Sequence, residues 1–188
     1  MNKQRSFGDC DGSVVPVRAL AASAGIQFEG LLAEVYRVGD KVGPEPQKGF
    51  EEAIRRMARG GAVSESEERA LLELGKRGFA VVSSVDFEKF MRYARDLYRR
   101  MSRDSASSPV ALAILGVISN FTVAPSLQAS LGARGLAKAA RHPIRNILLG
   151  VAGGALGGLY SSGWNPIGGV VGGIVGGIVA GVKSICPD

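Results

Sequence analysis

Between Asp104 and Asp188 the chain has no carboxylate, and the only basic residues of that half are Arg134, Lys138, Arg141, Arg145 and Lys183. Residues 1–107, by contrast, hold 18 Lys/Arg against 16 Asp/Glu, so the net charge of +6 is spread unevenly. The two halves are built for different surroundings. Histidine is nearly missing. His142 stands before Pro143 in a basic stretch, with no carboxylate or cysteine beside it, which argues against a general base or a metal ligand there. Two distant cysteines, Cys10 and Cys186, exclude a disulfide framework and a zinc-ligand spacing. They leave either one bridge between the termini or two reduced thiols. The opening MNKQRSFGDCDGSVVPVRALAASAG lacks the apolar core of a signal peptide, and Cys10 follows FGD rather than an apolar run, so no lipidation signal is read. The expectation is a product made soluble in the cytoplasm and, if exported, exported without a cleaved signal.

Further absences narrow the chemistry. The glycine runs lack the Lys-Ser/Thr that ends a phosphate-binding loop, and no strand-to-helix dinucleotide fingerprint surrounds them. GKRGFAVVSSVDFEKFM has the outline of a calcium-binding helix-loop-helix without its carboxylates. The reading is a non-enzyme with no cofactor and no metal.

What is present is helical periodicity. Leu20, Ala24, Phe28, Leu31, Leu32 and Val35 recur at steps of three and four, followed by the breaker GDKVGPEP. FEEAIRRMA places Phe50, Ile54 and Met57 on one side and ends at Gly60-Gly61. SESEERALLELGKRG opens with a capping box, Ser64 and Glu67, and is expected to stop at Gly75 or Gly78. SVDFEKFMRYARDLYRRM carries the clearest stripe: Phe87, Phe90, Met91, Ala94, Leu97, Tyr98 and Met101. The pattern predicts an amphipathic helical domain over 1–102, a linker over 103–108 and an apolar region over 109–188. The fold class is all-α.

Within the apolar region, VALAILGVISNF is short for a membrane span and suits a buried helix. SLQASLGARGLAKAAR puts Arg134, Lys138 and Arg141 on one stripe, and Pro143 is expected to end that helix and start the next. Two apolar segments follow, 144–160 and 166–182, joined by the uncharged SSGWN with Trp164 at the tip. Each is about 17 residues, roughly 25 Å as helix, against a hydrocarbon thickness of ~30 Å. This is a helical hairpin by pattern, over 144–183.

Glycine dominates that hairpin. Gly150, Gly154 and Gly158 form one ladder with Gly153 and Gly157 beside it; Gly169, Gly173, Gly177 and Gly181 form a second, with Gly168, Gly172 and Gly176 alongside. Residues four apart share a helix face, so each helix carries a bare strip. Each such glycine costs up to ~1 kcal/mol relative to alanine in a helix interior, so the absent side chains must serve a close approach. In lipid, where backbone amides have no water to turn to, such strips are how helices associate. Membrane insertion is the leading reading; a buried hairpin that never meets lipid and a glycine-rich β arrangement are the alternatives. Arg134, Lys138, Arg141 and Arg145, with Trp164, then form the membrane interface, and a solvated stripe without function is the bland reading of the same cations.

The helical first half, the missing signal peptide and the consecutive glycine zippers of 109–183 together resemble the small pore-forming effectors of bacterial type VI secretion systems. More loosely, the chain is similar to pore-forming colicins, whose apolar hairpin hides in a helix bundle. The resemblance implies an antibacterial toxin carried by a ring-forming secretion partner and neutralised by a membrane-embedded immunity protein. It also implies action at a competitor's inner membrane, where the toxin self-associates in the lipid bilayer and dissipates ion gradients. A non-toxic membrane scaffold or translocase-like component is the rival; a nucleic-acid-binding adaptor, which the basic stripe would also permit, is not favoured.

Overall fold

The computed structural model describes residues 45–120 and 133–185, together with positions 19, 22 and 23; the side chains of 133–143, 179 and 181–185 lie outside that description. The amphipathic stripe proposed over 20–35 therefore falls almost wholly outside the described residues, and Cys10 and Cys186 fall outside altogether. The described residues form six long helices and no strand. They are α1 (Pro46–Arg59), α2 (Glu65–Phe79), α3 (Ser84–Met101), α4 (Pro109–Ser119), α5 (Ala133–Ser161) and α6 (Pro166–Ile185). The fold is all-α.

The first three helices are set by local signals. Pro46 occupies the first turn of α1, and the Arg56 and Arg59 side chains sit in its last turn, where cations suit the helix dipole. α2 begins with the full capping box: the Glu67 amide donates to Ser64 Oγ, and Glu67 Oε2 accepts from the Ser64 amide at 2.6 Å. α3 is capped by Ser83, whose hydroxyl accepts from the Asp86 amide and donates to Asp86 Oδ2. Their inner faces bury Phe50, Ile54, Met57, Leu71, Leu74, Phe90, Met91 and Leu97. Their outer faces carry spaced ion pairs such as Arg55–Glu51 at 3.0 Å and Arg77–Glu73 at 2.7 Å.

α2 does not stop at Gly75 or Gly78 but runs on to Phe79. Both glycines serve packing instead. A methyl on Gly75 would meet the Phe50 ring at 2.6 Å, and one on Gly78 would meet Leu148 Cδ1 at 2.6 Å. α5 likewise runs unbroken through Pro143, which forfeits one backbone donor, and the buried row of Ile144, Ile147, Leu148 and Val151 begins immediately beyond it.

α5 is the central helix and packs against all five others. Every residue from Val151 to Leu159 is buried, as expected of a helix apolar around its whole circumference. α4 packs on α3 and α6 as well as on α5, and α6 packs chiefly on α5 and α4. A single apolar core extends from Phe50 through Ile114 and Leu115 of α4 to Leu159, so α1–α3 share one interior with α4 and α5.

Candidate functional site

The site with the most unusual chemistry is the contact between α5 and α6. Three glycines of each helix meet as reciprocal pairs. A methyl on Gly154 would strike the carbonyl oxygen of Gly172, and one on Gly172 would strike that of Gly154. Gly158 with Gly168, and Gly150 with Gly176, repeat the relation one turn to either side. The helices are thus antiparallel, with bare Cα–H groups set against the partner's carbonyls, an arrangement suited to weak Cα–H···O contacts. At Gly154, Gly158, Gly172 and Gly176 the obstacle is backbone alone, while Ser162 also crowds Gly168 and Ala180 also crowds Gly150.

Gly169, Gly173 and Gly177 occupy a neighbouring face of α6. A methyl on Gly169 would reach Leu159 and Val110, each at 2.9 Å, and one on Gly177 would reach Val117 Cγ1 at 2.5 Å and Val151 Cγ2 at 2.6 Å. Val110 and Val117, two turns apart on α4, therefore fill shallow notches left by this second row. Gly173, between them, has only ordinary neighbours: Ala155 Cβ at 3.5 Å and the Val151 carbonyl at 3.7 Å. The two glycine rows of α6 consequently differ in what they receive: one meets the α5 backbone, the other α5 side chains at Val151, Ala155 and Leu159, joined at its two ends by Val117 and Val110 of α4. The surroundings of Gly181 lie outside the described residues. Gly153 and Gly157 are buried on α5.

The turn joining the pair is built from its own hydrogen bonds. Trp164 N donates to Leu159 O at 2.6 Å and Gly163 N to Tyr160 O at 3.3 Å, a left-handed C-cap in which Gly163 takes φ +66. Asn165 then caps α6, its Oδ1 accepting from Ile167 N, with Pro166 at the first helical position. Trp164 itself holds φ +68, the only non-glycine among the described residues at positive φ. For a bulky side chain that conformation costs about 1–2 kcal/mol. Its ring lies edge-on to Tyr160, with centroids 5.4 Å apart, and rests against Gly60 at the end of α1.

The proposed interface cations divide. The side chains of Arg134, Lys138 and Arg141 lie outside the described residues, although their backbone is helical. Arg145 is half-buried, and its guanidinium donates to the Phe79 carbonyl at the end of α2, 3.3 Å away. Two further charged groups fasten the apolar helices to the outer ones. Glu67, only 5% exposed, accepts from the Ser108 amide at the start of α4 through Oε1, and Arg95 Nε donates to the Ser119 carbonyl at its end, 3.2 Å away. An anion at the N-terminus and a cation at the C-terminus both match the α4 dipole. Glu67 was legible only as half of a capping box; its reach of 41 positions along the chain had no local signature.

On its outward side α6 presents apolar residues to solvent: Ile167 is 64% and Ile178 39% exposed, and Ile174 lies half-buried between them. Among the described residues no helix is long and apolar enough to cross a membrane. The glycines that admit close backbone contact also contribute almost nothing to hydropathy. Among the same residues, no group of three or more His, Cys, Asp and Glu side chains is placed to hold a metal ion. Comparison with known protein families, with curated proteins and with solved structures gave no match.

Proposed function

We propose that the protein is a pore-forming antibacterial toxin whose inserting unit is the α5–α6 hairpin, stored in water beneath α1–α4. One observation carries this reading. The reciprocal glycine pairs knit residues 150–176 into a unit through backbone-to-backbone contacts that are all internal, so it can exchange its surroundings without being taken apart. From Asn146 to Val182 that unit bears no charge, so crossing the bilayer avoids the ~2.5–3.5 kcal/mol per ionised residue that buried charges cost. The uncharged helical stretches, 16 residues from Asn146 to Ser161 and 17 from Pro166 to Val182, correspond to roughly 24 and 26 Å, so the bilayer thins around them from its usual ~30 Å. Two helices enclose no water path, so the conducting form contains several copies, associated through the notches at Gly169 and Gly177 that Val110 and Val117 of α4 fill in the folded chain. The likeness to type VI secretion effectors adds a ring-forming carrier and an immunity protein to the proposal.

A second reading has an observation of its own. Both glycine rows are already occupied in the folded chain, by α5 and by the valines of α4, and this accounts for them without lipid. On that reading the pair is the core of a protein that remains in water. Purified protein added to dye-loaded vesicles separates the two. A pore former releases the dye within minutes and leaves α5–α6 protected from protease by the membrane. Tight vesicles, with all of the protein recovered in the aqueous fraction, overturn the proposal and leave the buried-core reading; binding without leakage favours the resident scaffold.

A further inference from the structure

We propose that Trp164 is a latch that holds the tip of α5–α6 on α1 by seating its indole on Gly60, and that opening this latch is the first step toward lipid. The inference rests on the insertion reading above and concerns its control. α1 ends with Gly60 N donating to Arg56 O, Gly61 N to Ala58 O and Ala62 N to Met57 O. Gly61 takes φ +76, so its lack of a side chain is explained by the backbone. Gly60 is different. Its φ of −83 and ψ of 0 suit any residue, yet a methyl there would fall among the Trp164 ring atoms, 2.6 Å from Cε3. The bare Cα of Gly60 therefore serves the indole and not the turn.

The partner side of the latch is held under strain. Trp164 keeps the left-handed φ that glycine would adopt freely, and it does so while its ring rests on a different part of the chain. Tyr160 braces the ring edge-on, and its hydroxyl faces the Arg56 guanidinium on α1, which Glu52 holds at 2.9 Å. The tip thus touches α1 at two aromatic residues. When the indole leaves Gly60, Trp164 becomes free beside Tyr160 and Ile167, which are already exposed. That is an aromatic and apolar tip of the kind that settles at a lipid headgroup boundary.

Trp164 is the only tryptophan in the chain, so its fluorescence reports the latch directly. In the wild type the emission is that of a partly shielded indole, and acrylamide quenches it weakly. In Gly60→Ala the backbone is undisturbed and the ring must move. Emission then shifts to longer wavelength, quenching strengthens, and helical circular dichroism stays the same. Half-maximal binding to vesicles of mixed zwitterionic and anionic phospholipid then needs about tenfold less lipid, as when a closed state favoured tenfold is removed. Trp164→Gly supplies a second test of opposite sign. Relief of the positive φ alone would slow amide exchange in residues 160–168, whereas loss of a latch speeds it. Unchanged emission in Gly60→Ala, a fully solvent-exposed indole in the wild type, or slower exchange in Trp164→Gly overturns the latch. Shifted emission without any gain in vesicle binding keeps the contact but removes its role, and points to failure of the insertion reading itself.

Discussion

The glycines of α6 differ in what surrounds them, and single methyl groups can read the difference. Gly172 faces the carbonyl of Gly154 with the Cα of Gly158 2.9 Å from an added methyl, whereas Gly173, the next residue, has nothing nearer than 3.5 Å. Alanine at 172 must push two backbones apart, and overpacking of this kind costs about 1–3 kcal/mol. Alanine at 173 keeps ordinary contacts and reduces the freedom of the unfolded chain, which stabilises by ~0.4–1 kcal/mol. In a chain of this size the expected outcome is a melting temperature lowered by about 4–8 °C in Gly172→Ala and raised by about 1–3 °C in Gly173→Ala. Thermal unfolding followed by circular dichroism gives both values. Equal and opposite-to-expected shifts would mean that the helices meet along the other row. Sequence spacing alone could not make this choice. Both rows repeat every four residues, and only the partners, the α5 backbone for one and side chains of α5 and α4 for the other, distinguish them.

At the level of whole helices, what could be read in advance depended on whether the cause was local. The capping box of α2 and the apolar stripe of α3 are written in adjacent residues, and both elements form where that pattern places them. Gly75, Gly78 and Pro143 have two local meanings each, a stop or a tolerated interior position. The choice falls to distant packing, by Phe50 and Leu148 against the glycines and by the buried row that follows the proline. Glu67 combines both kinds of cause. Its capping of α2 is local, while its acceptance of the Ser108 amide ties α4 to α2 across the molecule. Glu67→Ala leaves the half-buried Ser108 amide without that acceptor, at a cost of about 1 kcal/mol, with the lost cap adding ~1. Glu67→Gln retains an acceptor oxygen for one of the two amides and should lose roughly half as much. Denaturant unfolding of the two variants measures these losses. If the glutamine variant falls as far as the alanine one, it is the charge at the α4 N-terminus, and not the hydrogen bond, that holds the helix.

For the molecule as a whole, the uneven distribution of carboxylates makes acid a selective reagent. The Arg56 guanidinium beside Glu52 on α1 holds that carboxyl below its ordinary value of 4.5, and the Ser83 hydroxyl holds Asp86 on α3 below 3.8. Groups whose folded pKa is depressed bind protons more readily in the unfolded chain. Their stabilisation is therefore complete above about pH 4.5 and is lost as pH falls through the lower folded values. The Glu52 pairs are largely exposed, so each contributes under about 1 kcal/mol, and the effect is a progressive loosening and not a single switch. The loosening is confined to one side of the molecule. Residues 105–187 contain no carboxylate, so the glycine seam of α5–α6 has nothing to titrate. Acidification below pH 4 should therefore loosen α1 and α3 modestly while the seam stays closed. In hydrogen exchange, protection would fall first in residues 46–59 and 84–101 and persist across 150–176, and partition into vesicles would rise over the same pH interval. Loss of protection in the seam before the outer helices would show that α1–α3 hold the glycine pairs together, and the pair could then not travel as a unit.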